Sequence, residues 1–202
     1  MNAWRVILAS GNPGKLRELV ALLDPLGWQL TPQPQLGIEA AAETGATFVD
    51  NALLKARHAA GAGRLPALAD DSGIEVDALG GRPGVRSARY AGERASDREN
   101  LEKLLEELRG VPLERRTARY RCVIAYVQSP SDPRPLIAEG CWEGRIATIP
   151  RGTRGFGYDP IFLPQGDDRT AAELEPAEKD AVSHRARALA SFIARLRGDS
   201  FG

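Results

Sequence analysis

The chain reads as an α/β protein on a long mixed, twisted sheet flanked by helices. In its first half, apolar strand-like runs alternate with helical periodicity, and in its second half two strand-like segments follow each other across a turn-rich stretch. Val6, Ile7 and Leu8 form the first strand, and Leu16, Leu19, Val20 and Leu23 then repeat at the spacing of an amphipathic helix. Trp28 to Thr31 reads as a second strand, followed by a loop through Pro32 and Pro34 to Glu43. Thr47 and Asp50 make a capping-box start for a helix to about Ala60, which Gly61 and Gly63 close. Leu65 to Ala69 is a strand leading into a turn at Asp70-Asp71-Ser72-Gly73, with Ile74 to Val76 beyond, and an irregular loop runs from Gly80 to Tyr90. Ser96 and Glu99 form a second capping box ahead of the stripe Leu101, Leu104, Leu105 and Leu108, with Gly110 placed to end that helix. Tyr120–Val127 and Leu136–Ile149 read as a hairpin, Arg151–Gly157 as a glycine-rich loop, and the last helix faces a core with Ala186, Leu189, Ala190, Ile193 and Leu196.

Composition narrows the function classes. The 202 residues suit one domain with a sizeable core, and 27 basic against 27 acidic residues leave no bulk charge to hold nucleic acid or a membrane surface. Cys122 and Cys141 lie in strand-like segments without metal or redox spacing, which suits buried thiols in a reducing compartment. With only a short apolar run after Arg5 and no stretch of membrane-spanning length, the expectation is a soluble, cytoplasmic protein.

Four segments carry chemistry. Ser10, Gly11, Asn12, Pro13, Gly14 and Lys15 join the first strand to the first helix, where free N–H groups, the helix dipole and a lysine favour an anion; the glycines would let the backbone bend sharply toward it. This is no Walker loop, because Leu16 stands where Ser or Thr would hold magnesium, and the segment alone equally suits an ordinary strand–turn–helix joint. Asp70 and Asp71 place two adjacent carboxylates at an expected strand end, a repulsive arrangement that a divalent cation relieves; hard oxygen donors near a phosphate point to Mg²⁺, and a solvated turn is the plainer alternative. Glu39 and Glu43 could add a further oxygen. Phe156, Gly157, Tyr158, Asp159 and Pro160 interleave aromatics with glycine, as a stacking site for a heterocycle does, though the segment alone favours a tight turn with two core aromatics. Lys179, Ser183, His184 and Arg185 precede the last apolar stripe, where a cap and an exposed charge are the plain reading; His58 reads as a surface or satisfied histidine.

Taken in order, SGNPGK at 10–15, ETGATFVDNALLKA at 43–56, ADDSG at 69–73, LGGRPGVRSARYAG at 79–92, GFGYDPIF at 155–162 and EKDAVSHR at 178–185 resemble the inosine triphosphate pyrophosphatase family, over nearly the whole chain. The resemblance implies two lobes around a central active-site cleft and a usual homodimer. It implies a hydrolase that removes ITP, dITP and XTP from the nucleotide pool by cleavage to the nucleoside monophosphate and pyrophosphate. Ser10 to Lys15 would then bind the triphosphate, Asp71 would ligate Mg²⁺ and act as general base with Glu43 as a second metal-side acid, and Ser72 would contact substrate. Phe156 to Asp159 would hold base and sugar, and Lys179, His184 and Arg185 would recognise the purine. A pyrophosphatase for other nucleotides and a non-catalytic nucleotide sensor are the rivals; the sensor has no need of Asp71 and Glu43.

Overall fold

The computed structural model describes residues 4–199. Eleven principal elements follow in chain order: β1 (Arg5–Leu8), α1 (Pro13–Leu23), β2 (Gln29–Pro32), α2 (Phe48–Gly63), β3 (Ala67–Val76), α3 (Asp97–Glu107), β4 (Thr117–Val127), β5 (Leu136–Ile146), β6 (Phe162–Pro164), α4 (Pro176–Val182) and α5 (His184–Asp199). The strands form one six-stranded sheet ordered β2-β1-β3-β4-β5-β6. β1 pairs in parallel with β2 and with β3, and β5 pairs antiparallel with β6, so the expected α/β fold with a mixed sheet is present.

Contacts divide the chain into two compact units. The first unit comprises the segments ending at Asp71, spanning Cys122–Gly140 and starting at Arg185; its core gathers Val6, Leu8, Leu19, Leu68, Ile124 and Phe192. The second comprises Ser72–Arg121 and Cys141–His184, with a core around Val76, Leu104, Tyr120, Trp142, Tyr158 and Phe162.

Both expected capping boxes are formed. Thr47 accepts from the Asp50 N–H while Asp50 takes the Thr47 N–H, and Ser96 and Glu99 do the same for α3. Several boundaries differ from expectation for physical reasons. α2 runs through Gly61 and Gly63 to a left-handed Arg64 (φ 52°). A side chain at Gly63 would collide with Ile7 and Ile38, so this glycine permits close approach of α2 to β1 instead of ending the helix. β3 is one ten-residue strand that passes straight through Asp70, Asp71, Ser72 and Gly73, and the expected turn does not exist. Charged partners for both aspartates, described below, are what let two carboxylates lie within a strand. β5 stops at Ile146, leaving Ile149 64% exposed. The buried face of α5 is Arg185, Ala188, Leu189 and Phe192, with Ala190 on the outside. β6 and α4 have no counterpart among the expected elements.

Candidate active site

The first unit holds the Ser10–Lys15 loop and both aspartates. Asn12 caps α1, its side-chain Oδ1 accepting from the Lys15 N–H at 3.0 Å, so the loop does sit at a helix N-terminus. Ser10 Oγ accepts from the Asn12 N–H at 3.3 Å, Gly11, Asn12 and Pro13 are exposed, and Gly14 is buried inside α1. Neither glycine takes a positive φ, so the sharp bend expected of them is absent; the space beside Gly11 is open.

Asp70 and Asp71 point to different partners, as successive residues of a strand do. Asp70 is 1% exposed, 3.0 Å from Lys15 Nζ and 3.5 Å from Arg185 Nη2, and Arg185, equally buried, also pairs with Glu18. Burial works against the Asp70 charge, but Lys15, Arg185 and Lys55 outweigh it and hold the carboxyl far below the usual carboxylate range. Asp71 instead faces α2. Lys55 Nζ lies 2.7 Å from Asp71 Oδ1 and 2.9 Å from Glu43 Oε1, and Asn51 Nδ2 donates to Asp71 Oδ2 at 3.4 Å. Asn51 is fully buried, and its Oδ1 takes the Gly45 N–H at 2.8 Å, which ties the loop carrying Glu43 to α2. Burial pushes the Asp71 carboxyl up; Lys55 and Lys15 pull it back in part, and Glu43 adds to the rise. A buried carboxyl shifted toward neutrality is suited to accept a proton.

Among the described residues, no group of three or more His, Cys, Asp or Glu side chains is gathered for a metal ion. What the first unit offers is two hard carboxylates, Asp71 and Glu43, converging on one cationic centre, the Lys55 ammonium. That donor set fits Mg²⁺, which takes one or two carboxylates and completes its shell with water and phosphate oxygens.

The second unit holds the aromatic and basic residues. Asp159 is 2% exposed; its Oδ2 accepts from Lys179 Nζ at 2.7 Å and from the Phe156 N–H at 2.9 Å, and its Oδ1 from Tyr120 Oη at 3.3 Å. A side chain at Gly155 (φ 77°) would strike that carboxylate, so only glycine lets the loop close over it. Lys179 Nζ lies 5.0 Å from the centre of the half-buried Phe156 ring. The Gly157 N–H donates to Asp97 Oδ2 at 2.7 Å, which anchors the loop to the start of α3, and Tyr158 is buried with its hydroxyl donating to the Ser87 carbonyl at 2.8 Å. His184 is 4% exposed and lies flat against Tyr120, ring centroids 4.6 Å apart. Ser72 is half-buried on β3.

The structure therefore gathers Ser10–Lys15, Glu43 and Asp71 in one unit and Phe156–Asp159, Lys179 and His184 in the other, with Arg185 among the first set despite following His184 directly. Sequence reasoning missed Asn51, Lys55 and Tyr120. Asn51 and Lys55 stand four apart, one helical turn past a capping box, which places them on a single face; that signal was available. His58 is exposed and engages the Glu39 carbonyl at 3.0 Å, and both cysteines are free thiols.

A family model described as the Ham1 family matches residues 6–195. The chain belongs to the Ham1 family. A Methylococcus capsulatus protein named dITP/XTP pyrophosphatase is 56% identical over 193 residues, covering 96% of this chain and 96% of that protein. The Escherichia coli K12 protein of the same name is 53% identical over 193 residues, covering 96% of this chain and 98% of its own length. Among solved structures, a HAM1 protein from Coxiella burnetii superposes with a TM-score of 0.89 at 49% identity, covering 96% of this chain and 99% of that one.

Proposed function

We propose that this chain hydrolyses non-canonical purine nucleoside triphosphates, ITP, dITP and XTP, to the monophosphate and pyrophosphate, with Mg²⁺ as cofactor. The observation that carries the reading is the convergence of Asp71 and Glu43 on Lys55, in the same unit as a lysine-bearing helix-start loop. Near-full-length relatives named dITP/XTP pyrophosphatase support it. Ser10 to Lys15 and the start of α1 take the triphosphate, and Ser72 contacts it further along β3. Asp71 and Glu43 would hold Mg²⁺, which would supply neutralisation of phosphate charge. Asp71, fixed by Asn51 and Lys55, orients the water that attacks the α phosphorus in line and accepts its proton, with pyrophosphate as leaving group.

The purine falls to Phe156 to Asp159, Lys179, His184 and Arg185. Hypoxanthine and xanthine carry an acceptor oxygen at C6, which these donors can bond; adenine carries an amino group there, and a buried donor facing a donor is costly. The enzyme works as a cytoplasmic homodimer in this reading, with no nucleic-acid or membrane partner; among the described residues no helix is long and apolar enough to cross a membrane. A panel of ITP, dITP, XTP and ATP, digested with and without Mg²⁺ and resolved by chromatography, tests it. Pyrophosphate release from the first three, dependent on Mg²⁺, is expected. Orthophosphate as first product, or equal turnover of ATP, overturns it.

A further inference from the structure

Tyr120 belongs to none of the motifs the sequence singles out, yet it touches two members of the base-reading set, His184 and Asp159. Its ring lies face to face with the His184 imidazole, centroids 4.6 Å apart and planes 10° from parallel. Its hydroxyl reaches Asp159, the carboxylate that holds Lys179 and the Phe156 backbone. Phe162, with its ring centroid 4.7 Å away, and Trp142, stacked at 6.5 Å, pack the same ring into the core of the second unit.

We propose that Tyr120 is a positioning residue for base selection, its ring fixing the plane of the His184 imidazole and thereby the direction in which that ring offers its hydrogen bond to a purine. The proposal rests on the reading that His184 faces the base. Hydrogen bonds weaken steeply as they bend, so an imidazole free to turn about its Cβ–Cγ bond loses selectivity for the C6 oxygen before it loses the ability to bind. The ring carries the effect more than the hydroxyl does. The stack is close and nearly parallel, whereas the 3.3 Å bond to Asp159 is the longest of three that carboxylate accepts.

The test compares wild type with Tyr120→Phe, Tyr120→Leu and His184→Ala, reading kcat/KM for ITP and ATP together with the histidine ring resonances. The chain has only two histidines, so His58 serves as the internal reference. A face-stacked His184 resonates upfield in wild type. Tyr120→Phe keeps that shift and holds the ITP:ATP ratio within about 2-fold; Tyr120→Leu returns the resonance to its ordinary position and lowers the ratio by about 3- to 10-fold, the range such an aromatic contact is worth. If Tyr120→Leu gives no cooperative melt, Tyr120→Met, which fills more of the ring's volume, is read in its place. A wild-type His184 resonance without the upfield shift overturns the proposal with no variant needed. A ratio unchanged in the Leu or Met variant while the resonance moves also overturns it, provided His184→Ala collapses the ratio, and the base reading then stands. A ratio unchanged in His184→Ala sinks the base reading at His184 and this proposal with it.

Discussion

Substituting Asp70 should lower stability, and substituting its neighbour Asp71 should cripple turnover. Asp70 is 1% exposed and holds two cations, Lys15 Nζ at 3.0 Å and Arg185 Nη2 at 3.5 Å. At an effective dielectric of about 20, each contact is worth roughly 5 kcal/mol of gross attraction. Asp70→Asn removes both attractions and keeps the shape, but it also relieves the cost of burying a carboxylate. The net loss is therefore the smaller value typical of a broken buried pair, about 3–5 kcal/mol, because Arg185 stays buried after losing one of its carboxylate partners. For a chain of this size that lowers Tm by roughly 6–20 °C. Asp71→Asn removes a carboxyl that burial already pushes toward neutrality, and Lys55 keeps Glu43 at 2.9 Å, so its cost should stay near 1 kcal/mol. Urea titrations of the three proteins in chelator, followed by circular dichroism and fluorescence, measure both. Equal midpoints for Asp70→Asn and wild type, or a larger loss for Asp71→Asn than for Asp70→Asn, would refute the assignment of Asp70 as the charge hub.

Asp71→Asn should lower kcat for ITP by at least ~10²-fold with KM little changed, since a proton acceptor acts on the reacting water more than on binding; steady-state kinetics decide it. Acid should destabilise the wild type through Asp70: its folded pKa is depressed, so its contribution is complete above the unfolded value of about 4 and drains away as pH falls toward the folded value. Metal-free melts of wild type should therefore lose stability below about pH 4 more steeply than melts of Asp70→Asn. Gly63→Ala should cost about 1–3 kcal/mol in urea unfolding with kinetics unchanged at temperatures where it is folded, because its methyl group meets Ile7 and Ile38. Arg185→Ala should cost more than the roughly 1 kcal/mol expected of a helix-end charge, because it takes a buried cation away from both Asp70 and Glu18, and should lower the ITP:ATP ratio, read from kcat/KM for the two substrates.

The elements legible in the sequence are those whose signals are local. Capping boxes at Thr47 and Ser96 need only residues three apart, and the stripe of α3 needs only one helix, so both were readable and both formed. What the sequence hid depends on partners far along the chain. Asp70-Asp71-Ser72-Gly73 carries every local mark of a turn, yet Lys15 and Arg185 on one side and Lys55 on the other neutralise the pair and the strand continues. Gly61 and Gly63 carry the local mark of a helix end, yet close packing of α2 on Ile7 accounts for the second.

The same distinction explains the site. Ser10–Lys15 and Asp71 stand out because a helix-start loop and a pair of adjacent carboxylates are short motifs, whereas the side chains that surround them enter from other elements. Arg185 shows how far this goes. As a sequence neighbour of His184 it joins the base-reading motif; as the first member of the buried stripe Arg185, Ala188, Leu189, Phe192 on α5 it lies in the other unit, against Asp70. A charged residue in phase with an apolar stripe is a charge that must be buried, and a buried charge needs a partner. Asp70, the aspartate of the pair to which the resemblance gives no role, supplies one from 3.5 Å, and no local pattern in the sequence announces that pairing across more than a hundred residues.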